Sequence, residues 1–290
     1  MRRAPRIGLA VLAAMALATP VWAQGFNMSR NNNEEIQVYA DQGIEWLNDA
    51  QRVIARVNAK AVRGRVTVTA DTLTAYYRKG AGGDEIWRLD ADGNVTIFTA
   101  TETATGTKAS YDLDQAVFVL RGNPAKLVTP TDSVTAQDVL EYWEKDRMAV
   151  ARGDAVATQK GKRIKADVLT SHFKENAKGD LEMRRADAYR NVILTTPQEE
   201  VHGDRGDYNL ETGIATVTGS VKIVRQGNEL NGEYAHVNLN TGISKLFGTG
   251  PGGKGDGRVS GSFVPDKKDQ KERRAIFRGT GPKTDETKKD

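Results

Sequence analysis

The 290-residue chain contains no cysteine. Disulfides, thiolate metal ligands and a thiol nucleophile are therefore excluded, and so is a lipid-modified cysteine near the N-terminus. Histidine is almost as scarce. His172, His202 and His236 are the full set, and no two lie within one helical turn, so metal-ligand spacing is absent. Long apolar runs are missing too: the longest, residues 7–18, is about a dozen residues, short of the roughly 20 that a helix needs to cross a bilayer. Nor is one sign of charge in surplus. The 42 Lys and Arg face 38 Asp and Glu, but three of the cations precede residue 7, and residues 265–290 hold nine cations against six acids. Residues 24–264 are left with 30 cations against 32 acids, which disfavours nucleic acid as a partner because phosphate-backbone affinity needs clustered excess cations. No nucleophile elbow, Walker-type phosphate loop or dinucleotide fingerprint is present.

What the chain does have begins with a targeting signature. Arg2, Arg3 and Arg6 precede the apolar run, and Val21-Trp22-Ala23 follows it as a small-residue cleavage site. This reads as a signal peptide spanning residues 1–23, cut after Ala23, so the chain is expected to be exported and soluble. Residues 24–264 are expected to form the folded body. Beyond a Gly-rich stretch at 248–257 and the apolar remnant Phe263-Val264-Pro265, residues 265–290 are charged and too poor in apolar side chains to offset their ordering entropy, so a disordered tail is expected.

The body repeats itself. At a spacing of 96, Ala40, Glu45, Arg56, Ala70, Asp71 and Leu73 match Ala136, Glu141, Arg152, Ala166, Asp167 and Leu169. At a spacing of 97, Asn94, Val95, Gly106, Tyr111 and Gly122 match Asn191, Val192, Gly203, Tyr208 and Gly219. Two copies, about 40–135 and 136–247, follow from this periodicity.

Each copy alternates short turns with strand-like runs. Asn48-Asp49, Asp114-Gln115, Glu144-Lys145-Asp146, Glu211-Thr212-Gly213 and Asn240-Thr241-Gly242 are turn sequences, and longer polar turns span 78–84 and 174–180. Between them, Val66-Thr67-Val68, Val95-Thr96-Ile97 and Val221-Lys222-Ile223 alternate at the period of a strand with one buried face. About seven hairpins predict an all-β fold of roughly 14–16 antiparallel strands. Around 31–39 a short helix or an edge strand fits equally. Pattern alone leaves sandwich, barrel, jelly roll and β-solenoid open.

The run from Tyr208 to Gly242, YNLETGIATVTGSVKIVRQGNELNGEYAHVNLNTG, resembles the repeat of the LptA/OstA lipopolysaccharide-transport family, and Gly257-Arg-Val-Ser-Gly-Ser-Phe-Val-Pro265 is similar to the end of its alphaproteobacterial members. The resemblance covers roughly residues 36–265. It implies an open, twisted β-jelly roll, a periplasmic location, and an apolar groove along which lipopolysaccharide acyl chains slide between the two membranes. It also implies no cofactor, no catalysis, and partners of the inner-membrane LptC and outer-membrane LptD jelly-roll types, with head-to-tail self-association.

On the inner face, the alternation places Val66, Val68, Val95, Ile97, Ile164, Val192, Leu194, Val217, Val221 and Ile223, which would either line that groove or fill it. The acids Asp41, Asp71 and Asp167 could suggest paired carboxylates for glycoside hydrolysis, but their recurrence with the repeat points to bends in the chain. Tyr76-Tyr77 with Trp87, and Tyr142-Trp143, read as cross-strand pairs before sugar platforms. An exported structural β-repeat protein and a β-solenoid polysaccharide-active enzyme stand as alternatives. An open jelly roll would expose unpaired edges, expected near 35–57 and 217–246, on a rod of about eight strands per sheet, roughly 40 Å long.

Overall fold

The computed structural model describes residues 35–264 except positions 81, 160, 178–180, 198, 239, 242, 251 and 254–256. The expected signal peptide and charged tail lie outside the described residues, as do parts of the turns at 174–180 and 240–242. Eighteen strands follow one another: β1 (Ile36–Tyr39), β2 (Ile44–Leu47), β3 (Arg52–Arg63), β4 (Val66–Gly80), β5 (Gly83–Phe98), β6 (Thr103–Asp112), β7 (Val117–Arg121), β8 (Ala125–Val128), β9 (Asp132–Ala136), β10 (Val139–Trp143), β11 (Met148–Gln159), β12 (Lys162–Glu175), β13 (Leu181–Thr195), β14 (Glu200–Asn209), β15 (Ile214–Arg225), β16 (Asn228–Asn238), β17 (Ile243–Phe247) and β18 (Ser260–Ser262).

All pairings are antiparallel, and ten long strands, β3–β6 and β11–β16, bend in mid-course so that each serves two walls. Wall A carries the hairpin turns near 48–51, 80–83, 113–116, 144–147 and 210–213; wall B carries those near 64–65, 99–102, 129–131 and 226–227. The other eight strands form broken crossings, β1 with β2, β7 with β8, β9 with β10 and β17 with β18. Fourteen rungs result, four of them interrupted at the bend. At Gly122-Asn123-Pro124 the interruption has a plain cause, since Pro124 has no N–H to give a ladder. The expected 14–16 strands are thus rungs, and the fold is the open, antiparallel jelly roll.

A row of acids holds the bend. Asn58 donates to Asp41 at 2.7 Å, Asn94 to Asp71 at 3.0 Å, and Asn191 to Asp167 at 2.8 Å. Each of these acids thus anchors the bend, as their recurrence with the repeat suggested. Asn94 and Asn191 sit at φ of 46° and 51°, left-handed conformations that Asn tolerates better than branched residues. Inside the bend the side chains are small: Ala59, Ala125, Ala155, Ala166 and Ala188 are fully buried, which lets the two walls converge.

The copies share their irregularities. β3 changes register between Arg56 and Ala59 and β11 between Arg152 and Ala155, while Glu45–Arg56 and Glu141–Arg152 ion pairs cross equivalent strands at 3.0 and 3.2 Å. Residues 36–39, where helix and strand were equally expected, form edge strand β1.

The C-terminal edge takes in only the end of the expected stretch 217–246, at β17, and continues into β18. β15 and β16 are paired on both sides, and the outermost rung is β17 with β18. The rod is also longer than the expected 40 Å. Fourteen rungs at about 4.8 Å span roughly 62 Å, because bent strands contribute to both walls at once.

Candidate ligand-binding trough

Among the described residues, the interior between the two walls is open in some stretches and filled in others. In the N-terminal copy, Val53, Val66, Val68, Leu73, Leu89 and Ile97 line a cavity of about 1100 Å³ including its open mouth. In the middle of the chain, Val134, Ala151, Ala157, Ile164, Leu169 and Leu194 line another of about 910 Å³, counted the same way. Each draws side chains from both walls. Between them, where the copies meet, Leu120, Leu127 and Leu140 fill the interior, with Phe118 packed alongside. Toward the C-terminus, Val201, Tyr208, Val217, Val221, Ile223 and Val237 pack against one another and against Leu230 and Leu246.

The ten residues expected on the inner face divide accordingly. Val66, Val68 and Ile97 line the N-terminal cavity, and Ile164 and Leu194 the central one. Val95 and Val192 are buried in clusters beside the bend, at 1% and 3% exposure. Val217, Val221 and Ile223 belong to the C-terminal packed cluster.

Sequence reasoning missed Leu73, Ala75, Leu89 and Leu169 on wall A. The register shifts explain why: in β4 the inner positions run Val66, Val68, Ala70 and then Leu73, Ala75, so one extra residue at the bend reverses the alternation. It also missed a second row of turns. In Thr99–Glu102 the Thr99 N–H donates to the Glu102 carbonyl at 2.9 Å and the Glu102 N–H to Thr99 Oγ1 at 3.2 Å. Thr196 with Glu199 and Thr129 with Asp132 repeat the arrangement. A Thr-x-x-acid pattern at the repeat spacing was the available signal.

Two of those acids are buried at the wall-B rim. Glu102 is 1% exposed, and neither of its carboxylate oxygens has a hydrogen-bond partner; Glu199 Oε2 is likewise unpartnered. Burial pushes the Glu102 carboxyl up to about 7, against the opposing pull of Arg65, and burial also raises that of Glu199 against Arg225.

The histidines remain apart. His172 lies 3.4 Å from Asp187, His202 2.7 Å from Glu200, and His236 tilts against Tyr234. Among the described residues there is no group of three His, Asp or Glu side chains able to hold a metal ion, and no helix long and apolar enough to cross a membrane. The aromatic pairs cross strands: Tyr76 faces Trp87 at 5.9 Å between centroids, and Tyr142 meets Phe173 edge-on at 6.5 Å.

A family model described as LptA/(LptD N-terminal domain) LPS transport protein matches residues 37–141 and again 134–243. An uncharacterized protein of Rhizobium meliloti (strain 1021) is 29% identical over 120 residues, 40% of this chain and 63% of that protein's length. The match therefore spans less than two thirds of that relative. Among solved structures, the crystal structure of LptH, the LptA homologous periplasmic component of the lipopolysaccharide transport device from Pseudomonas aeruginosa, aligns with a TM-score of 0.40 at 17% identity, over 46% of this chain and 95% of that one.

Proposed function

This chain belongs to the LptA/LptD N-terminal-domain family of LPS transport proteins, and from that premise we propose that it is a non-catalytic periplasmic carrier which holds lipopolysaccharide acyl chains between its two walls. The observation that carries this reading is the pair of apolar cavities, each built from both walls and open at the lip. Apolar surface left uncovered by a soluble chain is costly, and acyl chains would cover it at about 25 cal/mol per Å² removed from water. Residues 1–23 would direct export and be removed after Ala23. The carrier would hand its cargo from an inner-membrane LptC-type jelly roll to an outer-membrane LptD-type jelly roll.

End-to-end stacking belongs to the same proposal. β1 and β2 leave Val38, Tyr39, Ile44 and Trp46 exposed at one end, and Ile243 and Phe247 are exposed at the other. These are different surfaces of one molecule, so contact between them is heterologous and can propagate. A rod of roughly 62 Å extends further by adding copies.

The test is to purify the full chain from an outer-membrane-bearing host and identify co-purifying lipid by mass spectrometry, with photo-crosslinking from probes at Val68, Ile97 and Leu169. Lipopolysaccharide in the preparation and crosslinks at these positions support the carrier. Folded protein that yields neither refutes it and favours a structural β-repeat role.

A further inference from the structure

The outer face of wall A carries a polar cleft that the trough does not use. Leu89 and Ala91 of β5 border the N-terminal cavity, so strand alternation turns Arg88, Asp90 and Asp92 outward. Across the ladder Asp90 stands opposite Ser110 and Asp92 opposite Lys108 on β6, and Lys108 in turn stands opposite Arg121 at the end of β7. These six residues, with Val119, line a cleft of about 450 Å³ counted with its open mouth. Its ion pairs leave one cation over. Arg88 meets Asp90 at 2.8 Å and Lys108 meets Asp92 at 2.7 Å, whereas Arg121 is exposed and, among the described residues, forms an ion pair with no acid. On its far side it faces Val139. Like charges directly opposite each other destabilise a sheet, so Lys108 and Arg121 hold this register against mutual repulsion. Thr107 Oγ1 donates to the Arg121 carbonyl at 3.3 Å and fixes the end of β7 in place.

The second copy shows that the scaffold does not require this arrangement. At the repeat spacing of 97, Arg185, Asp187, Tyr189, Arg205, Asp207 and Thr218 stand where the first copy has Arg88, Asp90, Asp92, Lys108, Ser110 and Arg121, and the strands pair in the same way. There the positions fill themselves. Arg205 lies over the Tyr189 ring at 4.9 Å, Asp207 accepts a hydrogen bond from Thr216, and the Asp187 side chain is 1% exposed where that of Asp90 is 16%. Thr218, at the Arg121 position, carries no charge.

A surplus cation beside two acids selects its ligand. Asp90 and Asp92 repel a dianion but accept from N–H donors, while one carboxylate between Lys108 and Arg121 relieves their repulsion. A peptide supplies both, an acidic side chain and the amide N–H groups next to it. We propose that this cleft is a docking site for an acidic segment of a partner protein, with one Asp or Glu carboxylate held between Arg121 and Lys108 and adjacent backbone N–H groups donating to Asp92. The guanidinium fork of Arg121 suits a carboxylate bidentately. Because the cleft lies outside wall A and away from the first and last rungs, a segment bound there leaves the trough and both ends open.

The experiment uses the full chain with two fluorescent probes, a short peptide of alternating Glu and Ser and the same peptide with Gln in place of Glu. Binding is followed by anisotropy at low and high NaCl for wild type, R121Q and the control R152Q, each checked by circular dichroism. Arg152 lies in the same row of the same face and is exposed, but it is already paired with Glu141 at 3.2 Å. The expected result is that wild type prefers the Glu probe by about tenfold at low salt, that R121Q cuts this preference about fivefold while R152Q keeps it, and that high salt weakens it. Equal wild-type affinity for the two probes overturns the site, as does equal loss in R121Q and R152Q. Displacement of the Glu probe by inorganic phosphate, where NaCl of the same ionic strength leaves it bound, assigns the cleft to small anions and overturns the peptide reading.

Discussion

The side-chain amide of Asn94 donates to the Asp71 carboxylate at 3.0 Å across the bend of the N-terminal copy. Asn191 makes the same bond to Asp167 at 2.8 Å, where Arg190 joins it at 3.0 Å. These hydrogen bonds, Asn191 first and Arg190 second, hold the Asp167 carboxyl below its ordinary range. The bend is thus a repeated, side-chain-locked device.

Gly93 and Gly219 occupy the same bend at φ of 76° and 81°, and a Cβ at either would overlap the carboxylate of Asp71 or Asp204. Gly219→Ala should therefore cost about 1–3 kcal/mol, from left-handed strain and the displaced acid together. Chemical denaturation read against wild type checks this. Gly161→Ala is the control, since it shares a positive φ of 79° but has open space around the added methyl, and should cost less.

Glu102 makes stability depend on pH. Below pH 4.5 its carboxyl is protonated whether the chain is folded or not; between 4.5 and about 7 only the unfolded chain ionises, so stability falls as pH rises through that window. At about 1.4 kcal/mol per pH unit the loss is on the order of 3 kcal/mol by pH 8. Glu102→Gln should raise the melting temperature at pH 8 and leave it near wild type at pH 4. Identical increments at both pH values would contradict the burial of this carboxyl.

Charge inside the trough should act differently in its open and filled parts. Val68 is half-buried and lines a cavity, whereas Val95 is 1% exposed and packed. Val68→Asp is expected to keep the circular dichroism of wild type while losing lipid crosslinks. Val95→Asp should unfold the chain, because an unpaired buried charge costs several kcal/mol.

The ends should control association. Ile44 and Ile243 are 49% and 54% exposed on the first and last rungs of wall A. Ile44→Glu or Ile243→Glu should shift sedimentation toward monomer without lowering the melting temperature. Oligomers that persist in the double variant would remove the edges from the assembly.

The sequence revealed one side of this architecture better than the other. Turns on wall A, such as Glu211-Thr212-Gly213, use Asn, Asp and Gly and were legible. Those on wall B, such as Thr99–Glu102 and Thr129–Asp132, are built on threonine hydroxyls, whose turn signal is weaker. Alternation placed Val66 and Val68 on the inner face, where both border the N-terminal cavity, but lost Leu73 and Ala75 after the bend reversed the pattern. Whether an inward residue lines a cavity or fills the core was not legible at all. Val66 and Val221 look alike in sequence, and they differ only in what the opposite wall places against them.

The broken rungs bear on how such rods would join under the proposed end-to-end stacking. β9 with β10 is the counterpart, one repeat later, of β1 with β2, and it lies against β7 with β8 in a defined register, Val139 opposite Arg121 and Leu127 opposite Val134. The chain thereby contains, in covalent form, a worked joint between the last rung of one unit and the first of the next. Inside the chain that joint closes at the effective concentration of a three-residue tether, residues 129–131. Between chains the same kind of edge has only the free concentration of its partner. The difference makes an intermolecular joint reversible where the internal one is permanent.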